Sequence, residues 1–187
     1  MIVTETKPLG RISGTLPEGV AFFDLHPSAD HRGVFTEVFR QNWRTGVEVV
    51  QINLVESVAR TLRGTHVHLA HAEVYVAASG SMLLGVSDLR PTSVTAGAAA
   101  LVRLRAADRQ VLAIPPGVAH AYYSETDTVL LQGVSAYYDP EDDLGCRWDD
   151  PGLGVAWPAL QPILSARDSG AAGLPTLMRA LRARGVT

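Results

Sequence analysis

Several features that mark other classes of protein are scarce in this sequence of 187 residues. Its single cysteine, Cys146, cannot form an internal disulfide, which fits a reducing compartment. No apolar run approaches the roughly 20 residues that cross a bilayer, and the start, MIVTETKPLG, lacks the pattern of a signal peptide. The formal net charge is −3 at pH 7, so electrostatics favour neither nucleic acid nor an anionic membrane as a partner. These absences predict a cytoplasmic protein that binds neither.

Helical periodicity is also missing over most of the chain. Segments rich in β-branched, aromatic and aliphatic residues instead follow one another, separated by turn formers such as PSADHRG, RPTS and PPG. These segments are residues 20–25, 33–39, 47–55, 73–79, 81–89, 100–104, 110–115 and 128–138. A succession of short strands predicts an all-β sandwich or small barrel rather than a βαβ fold.

The C-terminal tail has a different pattern. Leu177, Ala180 and Leu181 stand at i, i+3 and i+4 in LPTLMRALRARG, and Gly185 follows, so residues 174–185 are predicted to form one short amphipathic helix. The chain shows no internal repeat and no linker that would mark a boundary. It is therefore predicted to form a single domain over residues 1–187.

Three histidines and a glutamate fall within the segment RGTHVHLAHAEV. On a strand, His66 and His68 would share one face. If that strand formed a hairpin through LAHA with the strand that begins at Glu73, these side chains would meet inside a barrel. His120, after the turn IPPG, would join them. Three imidazoles and a carboxylate suit zinc, iron, manganese or nickel.

The spacing of these residues resembles the two metal-binding motifs of the cupin superfamily. The motifs are His66-x-His68-x4-Glu73-x6-Gly80 and Pro115-x-Gly117-x2-His120. The resemblance implies a jelly-roll β-barrel with the site inside it. It also implies one divalent transition metal, held by His66, His68, Glu73 and His120.

A second resemblance covers most of the chain. In order, DHRGVFTE, VVQIN, TLRGTH, SDLRPTS, IPPGVAH, AYYDPEDDLGCRWDDPGLGVAWP and LSARD are similar to motifs of the dTDP-4-dehydrorhamnose 3,5-epimerase family, which is itself a cupin family. The matching motifs run from about residue 30 to 168. The resemblance implies a nucleotide-sugar substrate, no cofactor, and a homodimer that exchanges β-strands.

The family's site residues can be transferred by motif. His66 matches the catalytic base, and Asp168 matches the carboxylate that partners it. A 4-keto group acidifies the hydrogens on C3 and C5 of the sugar, so a neutral imidazole can remove one while the carboxylate stabilises the imidazolium. Positions that match substrate-binding or site-lining residues of the family are Arg32, Glu37, Gln51, Asn53, Arg63, His120 and Tyr138.

Two residues depart from the epimerase pattern. Glu73 stands where the family has a lysine that stabilises the enolate oxygen, and Gln132 stands where it has a tyrosine that acts as general acid. Exchanging a cation for an anion reverses an interaction of about 4 kcal/mol at roughly 4 Å with an effective dielectric near 20. The departures therefore predict an altered or narrowed epimerase.

Three hypotheses follow from the sequence. The first is an epimerase or isomerase that acts on a dTDP-4-keto-6-deoxyhexose by removing a proton next to the keto group. The second is a metal-dependent cupin enzyme that acts on a small molecule. The third is a non-catalytic nucleotide-sugar binder. The first two conflict at His66, because a nitrogen that donates its lone pair to a metal cannot also remove a proton.

Overall fold

The computed structural model describes residues 4–10, 12–158 and 160–186. Its strands, in chain order, are β1 (Glu5–Thr6), β2 (Ile12–Gly14), β3 (Ala21–Asp24), β4 (Pro27–Asp30), β5 (Gly33–Thr36), β6 (Gln51–Ser57), β7 (Leu62–Val67), β8 (Glu73–Ser79), β9 (Ser81–Asp88), β10 (Ala99–Arg105), β11 (Gln110–Ile114), β12 (Val118–Ser124), β13 (Thr128–Val134) and β14 (Leu144–Gly145). Its helices are α1 (Ala166–Ser169) and α2 (Leu174–Ala183), with 3₁₀ turns at Ala106–Asp108 and Pro151–Leu153.

Two antiparallel sheets face each other and form a jelly roll. The first sheet has the strand order β1-β3-β11-β8-β13-β6, and the second has the order β14-β7-β12-β9-β10-β2. Large apolar side chains from both sheets fill the space between them, among them Phe22, Leu84, Leu112 and Leu130, each at most 1% exposed. Burial of this kind is the main stabilising contribution in a sandwich. The prediction of an all-β, cupin-type fold is confirmed.

The segment that carries the histidines does not form the expected hairpin. β7 lies in the second sheet beside β12, whereas β8 lies in the first sheet between β11 and β13. The connection crosses from one sheet to the other, and the Asp142 carboxylate holds it there by accepting hydrogen bonds from the backbone N–H groups of Leu69 and Ala70. The side chains of β7 and β8 therefore meet across the interior rather than side by side.

The C-terminal helix forms where its periodicity predicts. α2 packs Leu177 and Leu181, 3% and 1% exposed, against the outer face of the second sheet, where Val67 and Ala119 belong to the same apolar cluster. Because alternate strand residues point to opposite faces, an outward Val67 leaves His66 on the interior face of β7. Neither helix of the described ranges is long and apolar enough to cross a membrane.

Part of the polypeptide lies outside the two main sheets. β4 and β5 form a separate two-stranded sheet in which Val34 and Phe35 are 53% and 67% exposed. β6 is the edge strand of the first sheet, and its outward residues Ile52 and Leu54 are 54% and 64% exposed. The barrel of one chain therefore has exposed apolar surfaces on the β4–β5 hairpin and on the edge strand β6.

Candidate active site

Two cavities open between the sheets. The larger, about 450 Å³, is lined by residues from both sheets and from the segment before α1. The smaller, about 190 Å³, is lined by the histidine segment, by β6 and by residues that follow β13. His66 and Gln132 line both cavities. The combined space is large enough for a small molecule between the two walls of the barrel.

His66 and His120 occupy neighbouring strands of the second sheet. They are register partners in the pairing of β7 with β12. The strands approach closely at Gly64, where an added Cβ would lie 2.7 Å from the backbone oxygen of His120. Gly64 also has φ of 110°, a conformation that L side chains rarely adopt. A glycine at this position therefore permits the contact that brings the two histidines to one wall.

The side chains of His66 and Asp168 form a hydrogen-bonded pair, with Nε2 of the ring 3.1 Å from Oδ1 of the carboxylate. Asp168 lies in the first turn of α1, whose N-cap is Ser165. Burial by itself would raise the pKa of Asp168, but hydrogen bonds with His66 and Ser165 outweigh it and hold that pKa below its ordinary value. The ionised carboxylate accepts a hydrogen bond from Nε2–H, so Nδ1 of His66 is left as the nitrogen that can act as a base.

Glu73 lies opposite, on the first sheet, and is 2% exposed. Its carboxylate accepts hydrogen bonds from Tyr75 Oη at 3.1 Å and from Gln132 Nε2 at 2.7 Å. His120 Nε2 is 2.8 Å from Oε2 of the same carboxylate. Burial would raise the pKa of Glu73, but the charge and hydrogen bond of His120 lower it to about 2.

His120 is the cationic partner of this buried pair. Its Nδ1 lies 3.1 Å from the carbonyl oxygen of Val118, so both ring nitrogens face acceptors. Burial would lower the pKa of His120, but the charge and hydrogen bond of Glu73 raise it above its ordinary value. The negative charge of Glu73, which was expected to oppose an enolate, is therefore neutralised by His120. The Glu73–His120 pair as a whole carries no net charge.

Two further histidines approach Glu73 from the connection between β7 and β8. His68 and His71 stack with ring centroids 4.1 Å apart, and each has Nε2 3.9 Å from Glu73 Oε1. Nδ1 of His68 lies 3.1 Å from the backbone oxygen of Asp142, and Nδ1 of His71 lies 3.0 Å from its carboxylate. Burial, and then the charge of His120, lower the pKa of His68 to about 4, so this ring is neutral at pH 7.

The convergent ligand atoms differ from the set that the sequence predicts. Among the described residues, the ligand atoms of His68, Glu73 and His120 lie within 4.8 Å of one another, as do those of His68, His71 and Asp142. His66 belongs to neither of these groups, because its Nε2 is directed to Asp168. The expected conflict between a metal ligand and a base at His66 does not arise in this geometry.

Most of the predicted substrate-binding residues line the cavities. Arg63 lines the larger one and donates from Nε to Ser57 Oγ at 3.1 Å. Gln51 and Asn53 point from β6 into the smaller one, joined by a 2.7 Å hydrogen bond between their side chains. Tyr138 lies at its rim and is 70% exposed. These groups come from different elements, so only folding brings them together.

Arg32 and Glu37 lie elsewhere. The Arg32 side chain, on the β4–β5 hairpin, is 79% exposed and pairs with Asp30 at 2.7 Å. Glu37 pairs with Arg40. Neither Arg32 nor Glu37 lines the two cavities that the described residues form. The hairpin is a separate sheet, so within one chain it does not deliver these side chains to His66.

Some of the residues that line the two cavities were not predicted as site residues from the sequence. Tyr75 and Tyr122 line the larger cavity, and His71 lines the smaller one. Tyr75 and Tyr122 each stand two positions after a predicted site residue, so strand alternation alone puts them on the same face. His71 has no such signal, since its position depends on a contact with Asp142, which is 71 residues away.

An all-β jelly roll with a His–Asp pair beside an interior cavity defines a cupin-type enzyme of small-molecule chemistry. The family model for dTDP-4-dehydrorhamnose 3,5-epimerase matches residues 15–175, and the chain belongs to that family.

Individual relatives agree with this assignment. The chain is 35% identical over 152 residues to the dTDP-4-dehydrorhamnose 3,5-epimerase of Sinorhizobium fredii, covering 75% of this chain and 77% of the relative. It is 32% identical over 173 residues to a dTDP-4-dehydro-6-deoxyglucose 3-epimerase of a Streptomyces species, covering 90% and 88%. The crystal structure of a 3′-monoepimerase from Streptomyces bikiniensis in complex with dTDP-quinovose has a TM-score of 0.79 at 30% identity, covering 92% of this chain and 90% of that chain.

Proposed function

We propose that the protein is an epimerase that inverts a carbon next to the keto group of a dTDP-4-keto-6-deoxyhexose. The observation that carries the proposal is the hydrogen bond between His66 and the buried Asp168 at the wall of a cavity. Relatives named for epimerisation of dTDP-4-keto sugars support the choice of substrate. The reaction moves protons without net oxidation, so it needs no redox cofactor.

His66 is the base of the proposed reaction. The 4-keto group acidifies the neighbouring C–H, and Nδ1 of a neutral imidazole removes that proton. Asp168 keeps the other ring nitrogen protonated and stabilises the imidazolium that forms, in the manner of other His–carboxylate pairs. Arg63, a planar cation at the same cavity, suits the diphosphate oxygens of the nucleotide.

Inversion also needs a proton donor on the opposite face of the sugar. Gln132 cannot act as an acid, but Tyr75 is its register partner on the adjacent strand β8 and lines the same cavity. His66 lies on the second sheet and Tyr75 on the first, so a sugar between them presents opposite faces to the two groups. We therefore assign the role of acid to Tyr75.

A general acid on β8, instead of at the family's position on β13, supports inversion at a single carbon of the sugar. In the family the tyrosine stands at the position of Gln132, whereas Tyr75 delivers a proton from a neighbouring position. The dTDP-4-dehydro-6-deoxyglucose 3-epimerases of two Streptomyces, each 32% identical to this chain, are named for one carbon. We propose that this protein likewise inverts only one carbon of its substrate.

A homodimer would complete the site. The exposed hairpin and the apolar edge strand β6 are unpaired surfaces of the kind that association covers. Arg32 and Glu37 would then reach the cavity of the partner subunit, where Arg32 would contact phosphate oxygens. We place the working dimer in the cytoplasm.

Hydrogen exchange tests the proposal. The protein is incubated with a dTDP-4-keto-6-deoxyhexose in D₂O, and deuterium at C3 and C5 is read by NMR or mass spectrometry. We expect incorporation at one of these carbons, abolished in His66→Ala and retained in His26→Ala, a control at an exposed position. Saturable binding of the sugar with no incorporation at either carbon would instead favour the non-catalytic binder.

A further inference from the structure

We propose that His68, Glu73 and His120 form a binding site for one divalent transition-metal ion beside the His66–Asp168 pair. The site is defined by the directions of the ring nitrogens in this chain. It keeps three members of the predicted set and leaves out His66, whose Nε2 is directed to Asp168. The binding of the metal does not depend on the proposed reaction, although its use there does.

The first argument is the orientation of the imidazoles. Nδ1 of His68 and Nδ1 of His120 each lie 3.1 Å from a backbone carbonyl oxygen, and Nδ1 of His71 lies 3.0 Å from the Asp142 carboxylate. A carbonyl or carboxylate partner requires that Nδ1 carry the proton. Metal-binding histidines are held in the same way, with the second nitrogen directed at the ion. Here all three Nε2 atoms are directed at Glu73.

The second argument is the match between donors and acceptors around Glu73 Oε1. This oxygen receives a hydrogen bond from Gln132, and it also faces Nε2 of His68 and Nε2 of His71, each at 3.9 Å. With Nδ1 protonated, Nε2 of a neutral ring is an acceptor. Acceptors that converge in a buried pocket need a cation or a donor between them. A metal ion between Nε2 of His68 and this oxygen satisfies both acceptors.

The third argument is the fit of distances and chemistry. Ligand atoms bound to one ion at about 2.0–2.2 Å lie roughly 3–3.5 Å from one another. The separations of 2.8 Å and 3.9 Å from the Glu73 oxygens lie on either side of that value. Imidazole nitrogen with carboxylate oxygen suits zinc, iron, manganese, cobalt or nickel, rather than calcium or magnesium.

The net charge of the metal-bound site accounts for the presence of Glu73 where the family has a lysine. Two neutral imidazoles, one carboxylate and a divalent ion carry a net charge of +1, the same as the family's lysine. Binding would displace the Nε2 proton of His120. A bound metal of this charge supplies Lewis-acid stabilisation of an oxyanion. If the proposed epimerisation holds, the oxyanion is the enolate that forms when His66 removes the proton.

Metal titration of the tag-free protein tests the site. After treatment with a chelator, the full chain is titrated with Zn²⁺, Co²⁺, Mn²⁺ and Ni²⁺ against a chromophoric competitor, and bound metal is counted by mass spectrometry. We expect one equivalent and, for Co²⁺, a visible absorption band from nitrogen and oxygen ligands. In Glu73→Gln and in His68→Ala, the affinity should fall at least about 100-fold. Asp142→Asn, which weakens the hydrogen bonds that hold the connection after His68, should weaken binding by about 10- to 100-fold.

Two further variants separate this proposal from the proposed function. His66→Ala should keep the metal and lose deuterium exchange, because His66 lies outside the ligand group. His26→Ala, at an exposed position, should change neither. Circular dichroism identifies any variant that has failed to fold, in which case the near-isosteric Glu73→Gln decides. Absence of one-equivalent binding by any of the four ions, or unchanged affinity in Glu73→Gln, would overturn the site even if the protein proves to be an epimerase.

Discussion

At the scale of the residue, the site depends on how each polar group is paired. Glu73 is an anion in a buried place, and it is tolerated because His120, Tyr75 and Gln132 all approach its carboxylate. The His66–Asp168 pair is separate from this network and has its own ionised carboxylate. The proposed base and the charged cluster can therefore act on the same ligand without sharing a nitrogen.

Replacing Asp168 by asparagine tests the pairing of the base. Asp168→Asn keeps the shape of the side chain but removes the charge that stabilises the imidazolium of His66. We expect kcat to fall at least about 100-fold with a much smaller change in KM. Asp149→Asn, at an exposed carboxylate that pairs with Arg147, is the matched control and should keep full activity. Equal loss in both variants would contradict the assignment.

Replacing Tyr75 by phenylalanine tests the acid. Tyr75→Phe removes a hydroxyl from the sheet opposite His66, so the enolate should still form but should be protonated again mainly from the original side. We expect deuterium exchange to continue while inversion slows at least about 10-fold. Tyr123→Phe, on the opposite face of β12, is the control. If inversion and exchange fall together in Tyr75→Phe, the hydroxyl is not a separate acid.

At the scale of the element, two connections between strands are held by buried carboxylates that accept several hydrogen bonds. Asp142 fixes the connection between β7 and β8, and Asp88 fixes the turn that follows β9. The Asp88 carboxylate accepts hydrogen bonds from the side chains of Arg90, Ser93 and Thr95. Burial would raise the pKa of Asp88, but these hydrogen bonds lower it to about 2.

The lowered pKa of Asp88 makes a prediction for stability against pH. Because the pKa is lower in the folded chain than the ordinary 3.8, the contribution is present above pH 3.8 and is lost as the pH falls towards 2. We expect Asp88→Asn to lower the free energy of unfolding by about 2 kcal/mol at pH 7 and by progressively less below pH 4. Urea unfolding at several pH values measures this difference. Asp149→Asn, at an exposed position, should show little difference at any of them.

At the scale of the whole molecule, one barrel leaves two apolar surfaces exposed and two predicted binding residues outside the two cavities. An association that covers β6 and carries the hairpin to another barrel would account for both observations. Association would bury the exposed face of β6, and it would bring Arg32 into contact with the phosphate oxygens of the substrate. The dimer is therefore a proposal about the completeness of the site as well as about assembly.

Disrupting the edge strand tests the dimer. Leu54→Glu places a charge on the exposed apolar face of β6, so we expect a monomer in analytical ultracentrifugation and a large loss of activity. Val94→Glu is the matched control, because Val94 is an equally apolar residue that is 86% exposed in a loop. Dimers that persist in Leu54→Glu would exclude this face as the interface.

Mixing inactive variants tests whether the hairpin acts across the dimer. Arg32→Ala and His66→Ala subunits are combined, unfolded and refolded together. If Arg32 serves the partner's cavity, half of the mixed dimers' sites are intact, and random pairing restores about a quarter of the wild-type activity. If Arg32 serves its own cavity, no restoration is expected.

The sequence by itself determined the strand pattern, the C-terminal helix, and the motifs that hold His66, Glu73 and His120, because alternation and turn chemistry act over a few residues. The tertiary structure decided that β7 and β8 face each other instead of pairing, and that Asp168 reaches His66 across 102 positions of the chain. It also decided that His71 joins the cluster while Arg32 stays outside. Each of these outcomes depends on contacts between distant segments, which no local pattern specifies.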